Sequence, residues 1–303
     1  MEQGLRFAAI DIGSNAMRLL FSRVIVKENE PPYFIKESLI RMPLRLGHDV
    51  FTTGIISEKN CDSFVSTIVG FKYLIDAYNP ISYRACATAA MRNSANGPDL
   101  VKIIAKTPGI NLDIISGQEE AAMILSKNMN QYLKTKKNYI HIDVGGGSTE
   151  LTIIVEGKKI TSKSFSIGSV RLLENKVQES HWEFLCDWIG KNTSSLDSIK
   201  GIGSGGNINK IASMLGKNKG KSVHYNDINQ IIKKISMKNI EQRITELGLR
   251  PDRADVIIHA SKIYLNCMNW SRAKRIIVPQ TGLADGIVSQ LYDDYKNYSE
   301  KIT

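Results

Sequence analysis

Three glycine-rich turns hold the residues best suited to chemistry. Asp11-Ile12-Gly13-Ser14-Asn15 closes one apolar run and opens the next, so the chain reverses there with backbone N–H groups and the Ser14 hydroxyl exposed. Such a turn can cradle phosphate oxygens. Asp143-Val144-Gly145-Gly146-Gly147-Ser148-Thr149-Glu150 has the same layout, and its three glycines admit positive φ and close approach of backbone to ligand. An Asp-x-Gly turn alone is more often a plain hairpin, but two in equivalent strand contexts point to paired anion sites. Gly201-Ile202-Gly203-Ser204-Gly205-Gly206-Asn207 joins a third apolar run to a helical pattern, whose first N–H groups can meet another anion.

The elements that must carry these turns follow from periodicity. Phe7–Ile12, Met17–Val24 and Tyr33–Leu39 are apolar, rich in β-branched residues and bounded by turn formers, which predicts an antiparallel meander. Ser57 then caps a helix with Phe64, Ile68, Phe71, Leu74 and Ile75 at helical spacing. A strand over Ile81–Ala87, a helix over Asp99–Ala105, a strand over Leu112–Ile115 and a helix opening at Gly117 complete an α/β half.

The second half repeats that order. Strands are expected over Tyr139–Asp143, Glu150–Val155, Lys159–Ser166, Ile199–Gly203 and Arg275–Val278, with helices between the later ones and a closing helix from Ala284. Asp143 follows Asp11 by 132 residues, the period of an internal duplication. The polar stretch Asn128–Asn138 separates the halves and predicts lobes over 1–124 and 125–303, the terminal helix being able to return to the first lobe. Asp11 and Asp143 are then expected to face each other across an interdomain cleft.

Composition agrees with this plan. The chain has 303 residues, 42% hydrophobic and 23% charged, enough for two cores without metal or disulfide staples. No window approaches the ~18 apolar residues of a membrane helix, and the opening residues lack a basic flank and cleavage site; a cytoplasmic protein with no membrane partner is expected. The four cysteines form no C-x-x-C pair and the five histidines show no metal-ligand spacing. The net charge of +10 is uneven: residues 1–155 hold 17 Lys+Arg against 15 Asp+Glu, leaving 23 against 15 beyond. Such a field favours a polyanionic partner. The cluster Lys217-Asn218-Lys219-Gly220-Lys221 has no interleaved aromatics and no nucleic-acid-binding module around it, so no specific nucleic acid is expected.

The three turns together resemble the core shared by actin, sugar kinases and heat-shock ATPases, which implies an α/β fold of two ribonuclease-H-like lobes. Within that superfamily the segments AAIDIGSNAMRLL, ATAAMRNSANG, IISGQEEA, IDVGGGSTEL, GSGGNINKIA and VPQTGLADGI resemble the exopolyphosphatase and guanosine-pentaphosphate phosphohydrolase family. The order DIGSN, SGQEEA, DVGGGSTEL is specific to it, and the chain resembles the family's short, two-lobe form.

The resemblance implies a Mg²⁺-dependent phosphoric anhydride hydrolase that releases terminal orthophosphate from inorganic polyphosphate by in-line attack of water. Conversion of guanosine pentaphosphate to tetraphosphate, and a non-catalytic regulatory role, are the alternatives. Asp11, Asp143 and Glu150 are the expected metal ligands. Gly13, Ser14, Asn15, Arg18, Gly145, Gly146, Gly147, Ser148 and Thr149 are the expected phosphate ligands. Glu119 and Glu120 stand where the family carries the carboxylate that activates water; Ser116 and Glu119 also spell a capping box, which favours Glu120 as the catalyst. Arg92, a guanidinium fork for phosphate, is the expected catalytic cation, with Arg45 and Arg171 as further cleft arginines. Gly203, Ser204, Gly205, Gly206 and Asn207 form a candidate loop for a nucleotide or distal phosphate. K⁺ as activator and a homodimer are further implications, and the lysines at 217–221 are expected to guide polyphosphate. Ala16, where many relatives carry Ser or Thr, and Ser204 and Asn207 in the third loop depart from the family pattern.

Overall fold

The computed structural model describes residues 4–106, 110–125, 132–134 and 136–301. It divides into two units, residues 1–116 with 283–303, and residues 117–282. The break thus falls at Ser116/Gly117 where the sequence suggested 124/125, and part of the linker expected over 128–138 lies outside the described residues.

In the first unit β1 (Leu5–Ile12) is central because Phe7, Ala8, Ala9, Ile10 and Ile12 are all fully buried. β2 (Met17–Ile25) and β3 (Tyr33–Met42) follow as an antiparallel meander, β4 (Ser82–Ala87) lies parallel to β1, and β5 (Leu112–Ile114) lies parallel to β4. The order is β3-β2-β1-β4-β5. The edge strand β3 is mostly exposed and carries Lys36, Glu37 and Arg41, charges that discourage edge-to-edge pairing.

A short helix α1 (Leu46–Thr53), for which the sequence has no clear signal, precedes α2 (Glu58–Tyr78). Gly47 and two terminal threonines give α1 weak propensity. Tertiary contact fixes it instead: the Gly47 N–H donates to the Ser14 carbonyl at 2.7 Å, and a Cβ on Gly47 would sit 2.7 Å from Ser14 Cβ. α2 runs from Ser57, whose Oγ accepts from the Asn60 N–H, to Asn79 in the left-handed region, and buries Phe64, Thr67, Ile68, Phe71 and Ile75. α3 (Ala89–Asn93) and α4 (Gly97–Ala105) complete the connection to β5.

The second unit opens with α5 (Gly117–Ile124) and builds a six-stranded sheet, β10-β11-β9-β6-β7-β8. β6 (Asn138–Val144), β7 (Thr149–Val155) and β8 (Lys158–Phe165) are its meander; β9 (Ile199–Ser204) is parallel to β6 and β11 (Arg275–Ile277) parallel to β9. This is the order of the first sheet with β10 (Ser222–His224) added antiparallel at the edge. α6 (Ser169–Leu173), α7 (Glu179–Thr193), α8 (Gly206–Met214), α9 (Tyr225–Ser236), α10 (Ile240–Thr245), α11 (Pro251–Ala254) and α12 (Ile257–Trp270) accompany it. One face is packed by Ile140, Ile142, Leu151, Ile153 and Ile276 against Trp182, Ile211 and Ile257; Tyr139, Ile154 and Ile202 point to the other.

The last helix, α13 (Leu283–Ser299), packs on the first sheet. Tyr292 meets Phe7 and Phe34 edge-on at 6.4 and 5.7 Å between ring centroids, and Lys36 pairs with Asp285 at 2.8 Å. No helix among the described residues is long and apolar enough to cross a membrane.

Candidate active site

The second glycine turn sits where β6 passes into β7. Asp143 and Glu150 are paired across the ladder, one step before the closing pair Val144 and Thr149. In an antiparallel pair directly opposed residues share a face, so both carboxylates project together. Gly145 N–H closes the turn on the Ser148 carbonyl at 3.0 Å, while the N–H groups of Ser169 and Val170 at the start of α6 hold the carbonyls of Gly145 and Gly146 at 3.0 and 2.8 Å. Gly168 allows that approach, since a Cβ there would overlap the Gly146 carbonyl. Arg171 Nε donates to the Gly147 carbonyl at 3.0 Å, bracing the loop from outside. Thr149 Oγ1 donates to the Ile167 carbonyl at 2.6 Å.

Glu120 completes the site from α5. One carboxylate oxygen each from Glu120, Asp143 and Glu150 lie within 4.8 Å of one another, and all three residues are buried. Gly117 sets α5 close to β8: a Cβ would meet Ser164 Oγ at 2.5 Å, and that hydroxyl donates to Glu150 Oε1 at 2.8 Å. Glu119, one residue earlier, is exposed.

Sequence reasoning missed Tyr264 on α12. Its hydroxyl donates to the Ser204 carbonyl and accepts from the Val144 N–H at 3.3 Å, bridging β6 and β9 where their ladder ends. Burial, then the negative charge of Asp143, holds this phenol well above its usual range, so it remains a donor. Nothing in the sequence pattern marks it, because it stands on a helix more than a hundred residues from Asp143. In the third loop Gly205 adopts φ +112°, and a Cβ there would meet the Val144 carbonyl at 2.8 Å, the Tyr264 hydroxyl at 3.0 Å and Asp143 Oδ1 at 3.5 Å. Gly203 through Asn207 therefore run past Asp143. His141, buried and lowered by burial to about 4, shares a 2.8 Å hydrogen bond with Ser204 Oγ.

The first turn has the same backbone closure, Gly13 N–H to the Ala16 carbonyl at 3.1 Å, with Ser14 buried and Asn15 half-buried. Its chemistry differs. Asp11, expected with Asp143 and Glu150, belongs to the first unit and is ion-paired with Arg18 at 2.6 Å. Arg92, expected in a loop, lies in the helical turn α3 and donates Nη1 to the Ile115 carbonyl at 2.7 Å. Arg45 is the left-handed residue that starts α1, its N–H on the Asn15 carbonyl at 3.3 Å.

Two sheets of one strand order, each with a glycine turn after its first strand, place the chain in the two-unit ribonuclease-H-like class. The chain belongs to the Ppx/GppA phosphatase family, whose model matches residues 32–184. A bifunctional 3-dehydroquinate synthase/phosphatase of Fusobacterium nucleatum is 29% identical over 96% of the chain, which spans 46% of that protein's length. Exopolyphosphatase 1 of Mycobacterium tuberculosis is 22% identical over 95% of the chain and 89% of its own length. The crystal structure of an exopolyphosphatase from Cytophaga hutchinsonii shares the fold, with TM-score 0.81 at 22% identity over 95% of this chain and 98% of that one.

Proposed function

We propose that this protein is a Mg²⁺-dependent exopolyphosphatase, hydrolysing the terminal phosphoanhydride of inorganic polyphosphate. The observation that carries the reading is the convergence of Glu120, Asp143 and Glu150 beside a glycine turn of phosphate-cradling type. The exopolyphosphatase names of the relatives from M. tuberculosis and C. hutchinsonii support the choice of substrate.

The donor set suits the ion. Mg²⁺ takes oxygen ligands and retains waters, and two carboxylates opposed on neighbouring strands repel unless a cation stands with them. Asp143 and Glu150 would hold it, and the ion would supply neutralisation of charge on the transferred phosphoryl group. Glu120, carried by a helix beside them, takes the proton of the attacking water. The N–H groups of Gly146, Gly147 and Ser148 donate to phosphate oxygens, while Gly145 closes the turn and α6 and Arg171 keep it rigid. The first-unit turn over 13–15 is assigned the same phosphate-holding role.

Orthophosphate release from long-chain polyphosphate and from guanosine pentaphosphate, each with Mg²⁺ and with chelator, tests this. Mg²⁺-dependent release from polyphosphate, abolished by Glu120→Gln, is the expected result. Faster release from the nucleotide reassigns the substrate, and binding without release from either leaves a regulatory protein.

A further inference from the structure

The sheet face that carries Asp143 at one end carries cations at the other. In the parallel pairing of β6 and β9, Tyr139 is level with Lys200, His141 with Ile202 and Asp143 with Ser204. Ile202 is level with Ile277 of β11, so Arg275, two residues earlier, shares that face and stands level with Lys200. β10 then sets His224 opposite Arg275. Lys200, Arg275 and His224 form a row across three adjacent strands, with ~4.8 Å from strand to strand.

The row is continued at one end. Lys134 is brought to it by its N–H on the Tyr139 hydroxyl at 3.0 Å. At the β10 edge Gly220 N–H donates to the Val278 carbonyl at 2.8 Å and Val278 N–H to the Lys221 carbonyl at 3.1 Å; Lys221 has the parity of Val223, which packs in the core of the opposite face, so the row ends at His224. Lys134, Lys200 and Arg275 are exposed and His224 is half-buried. None of the four makes an ion pair among the described residues. Neighbouring like charges on one sheet face cost stability; a row kept without acidic partners is suited to an external polyanion.

We infer that this row is an accessory surface for the distal part of a long polyphosphate chain, an inference that rests on the exopolyphosphatase reading of the acidic site. Lys200 precedes Ser204 by four residues on β9, which is ~13 Å along the strand. Leu125, Tyr132 and Leu133 pack over Tyr139 and Ile202 between the two ends, so a ligand must pass around them and the route exceeds this distance; a tripolyphosphate anchored at Asp143 falls short of it, whereas a long chain reaches it and gains from a second, intramolecular attachment. The surface offers charges without stacking platforms: Tyr139 is buried and Tyr132 and Tyr225 are half-buried. Single-stranded nucleic acid draws much of its affinity from bases stacked on exposed aromatic rings, so a base-free phosphate chain fits better.

The test compares the full chain with Lys200→Glu/Arg275→Glu, and with Lys200→Gln/Arg275→Gln in case the reversed pair melts early. The expected result is a rise in KM for long-chain polyphosphate on the order of tenfold, a shallower dependence of KM on NaCl, and unchanged kcat/KM for tripolyphosphate. Equal changes for both substrates, or none for either, overturn the inference. Direct binding of end-labelled polyphosphate separates the two readings. If the wild type hydrolyses neither substrate, the active-site reading fails, yet loss of polyphosphate binding in the double variants still upholds the surface. Unaltered binding overturns it, as does tighter binding of a single-stranded RNA that the same substitutions abolish.

Discussion

Asp143 and Glu150 stand directly opposite each other across β6 and β7, and 132 residues earlier the same two places hold Asp11 and Arg18. Both pairs sit one step before the end of their ladder, beneath a turn closed by the same backbone hydrogen bond, Gly13 to Ala16 and Gly145 to Ser148. The first copy neutralises its carboxylate internally, with Arg18 Nη1 2.6 Å from Asp11 Oδ2. The second replaces the arginine by a carboxylate and adds Glu120. The same hairpin geometry thus forms an ion-paired turn in one unit and a cluster of three buried carboxyl groups in the other. Under the proposed reading, that asymmetry favours the second turn over the first as the place for a cation.

Metal binding there should be visible as stability. A ligand present at a hundred times its Kd adds about 2.7 kcal/mol to the folded state, and at about 2–4 °C per kcal/mol for units of this size Mg²⁺ should raise the melting temperature by ~5–10 °C over chelator. Glu150→Gln keeps an acceptor for Ser164 and removes one opposed charge. Its melting temperature in chelator should equal or exceed that of the wild type, and most of the Mg²⁺ shift should vanish. Differential scanning fluorimetry reads both; a full Mg²⁺ shift in the variant would place the ion elsewhere.

Glu119 and Glu120 are adjacent in sequence and opposite in environment, the first exposed and the second buried beside Asp143. Glu120→Gln should lower kcat by ~10²–10⁴, the usual contribution of a general base. Glu119→Gln should stay within about twofold, as a surface substitution does. Steady-state phosphate release on the two purified variants decides, and the reverse ranking would move the base to Glu119.

Much of this was legible in the chain. The apolar runs at Phe7–Ile12 and Tyr139–Asp143 announce central strands because central strands are buried on both faces, and glycine turns announce themselves by composition. What escaped has a tertiary cause. α1 depends on Gly47 resting against Ser14, and α3, which carries Arg92, is a five-residue turn too short for a periodic signal. The ladder-bridging role of Tyr264 and the row through Lys200, Arg275 and His224 arise only when distant segments meet. The 132-residue offset pairs Asp11 with Asp143 but says nothing of Arg18 occupying the partner place of Glu150, so the ion pair of Asp11 had no signal in the sequence.

The return of α13 to the first sheet makes a truncation informative. Tyr292 and Tyr295 cover Phe7, with ring centroids 6.4 and 6.2 Å away, and Lys36 and Arg84 reach Asp285 and Gln290. Ending the chain at Gly282 uncovers the apolar face of β1, and fully burying a side chain such as Phe7 is worth about 1.5–3 kcal/mol. The truncated protein should be largely insoluble, or should show rapid trypsin cleavage within residues 4–106 while fragments of 117–282 persist. Limited proteolysis followed by intact-mass measurement distinguishes this from a helix that merely decorates the surface.

Tyr264 joins the two loops that meet at Asp143, and its removal separates fold from function. Tyr264→Phe keeps the ring inside the core and deletes the hydroxyl, leaving the Val144 N–H and the Ser204 carbonyl without their bridge. A buried group stripped of its partner costs about 1–3 kcal/mol, so the variant should fold with a melting temperature lower by several degrees. Its kcat should fall far more than that cost explains, because Val144 is the residue between Asp143 and the glycine turn. The phenol is held protonated by burial and by Asp143, so it contributes no titration near neutrality, and the pH–rate profile of Tyr264→Phe should keep the wild-type shape at reduced height. Gly205→Ala approaches the same joint from the other loop, with a Cβ 2.8 Å from the Val144 carbonyl at a φ of +112°. It should lose on the order of 2 kcal/mol and most activity. Thermal melts and pH–rate profiles on both variants test the joint, and wild-type kcat in Tyr264→Phe would show that Asp143 is positioned without it.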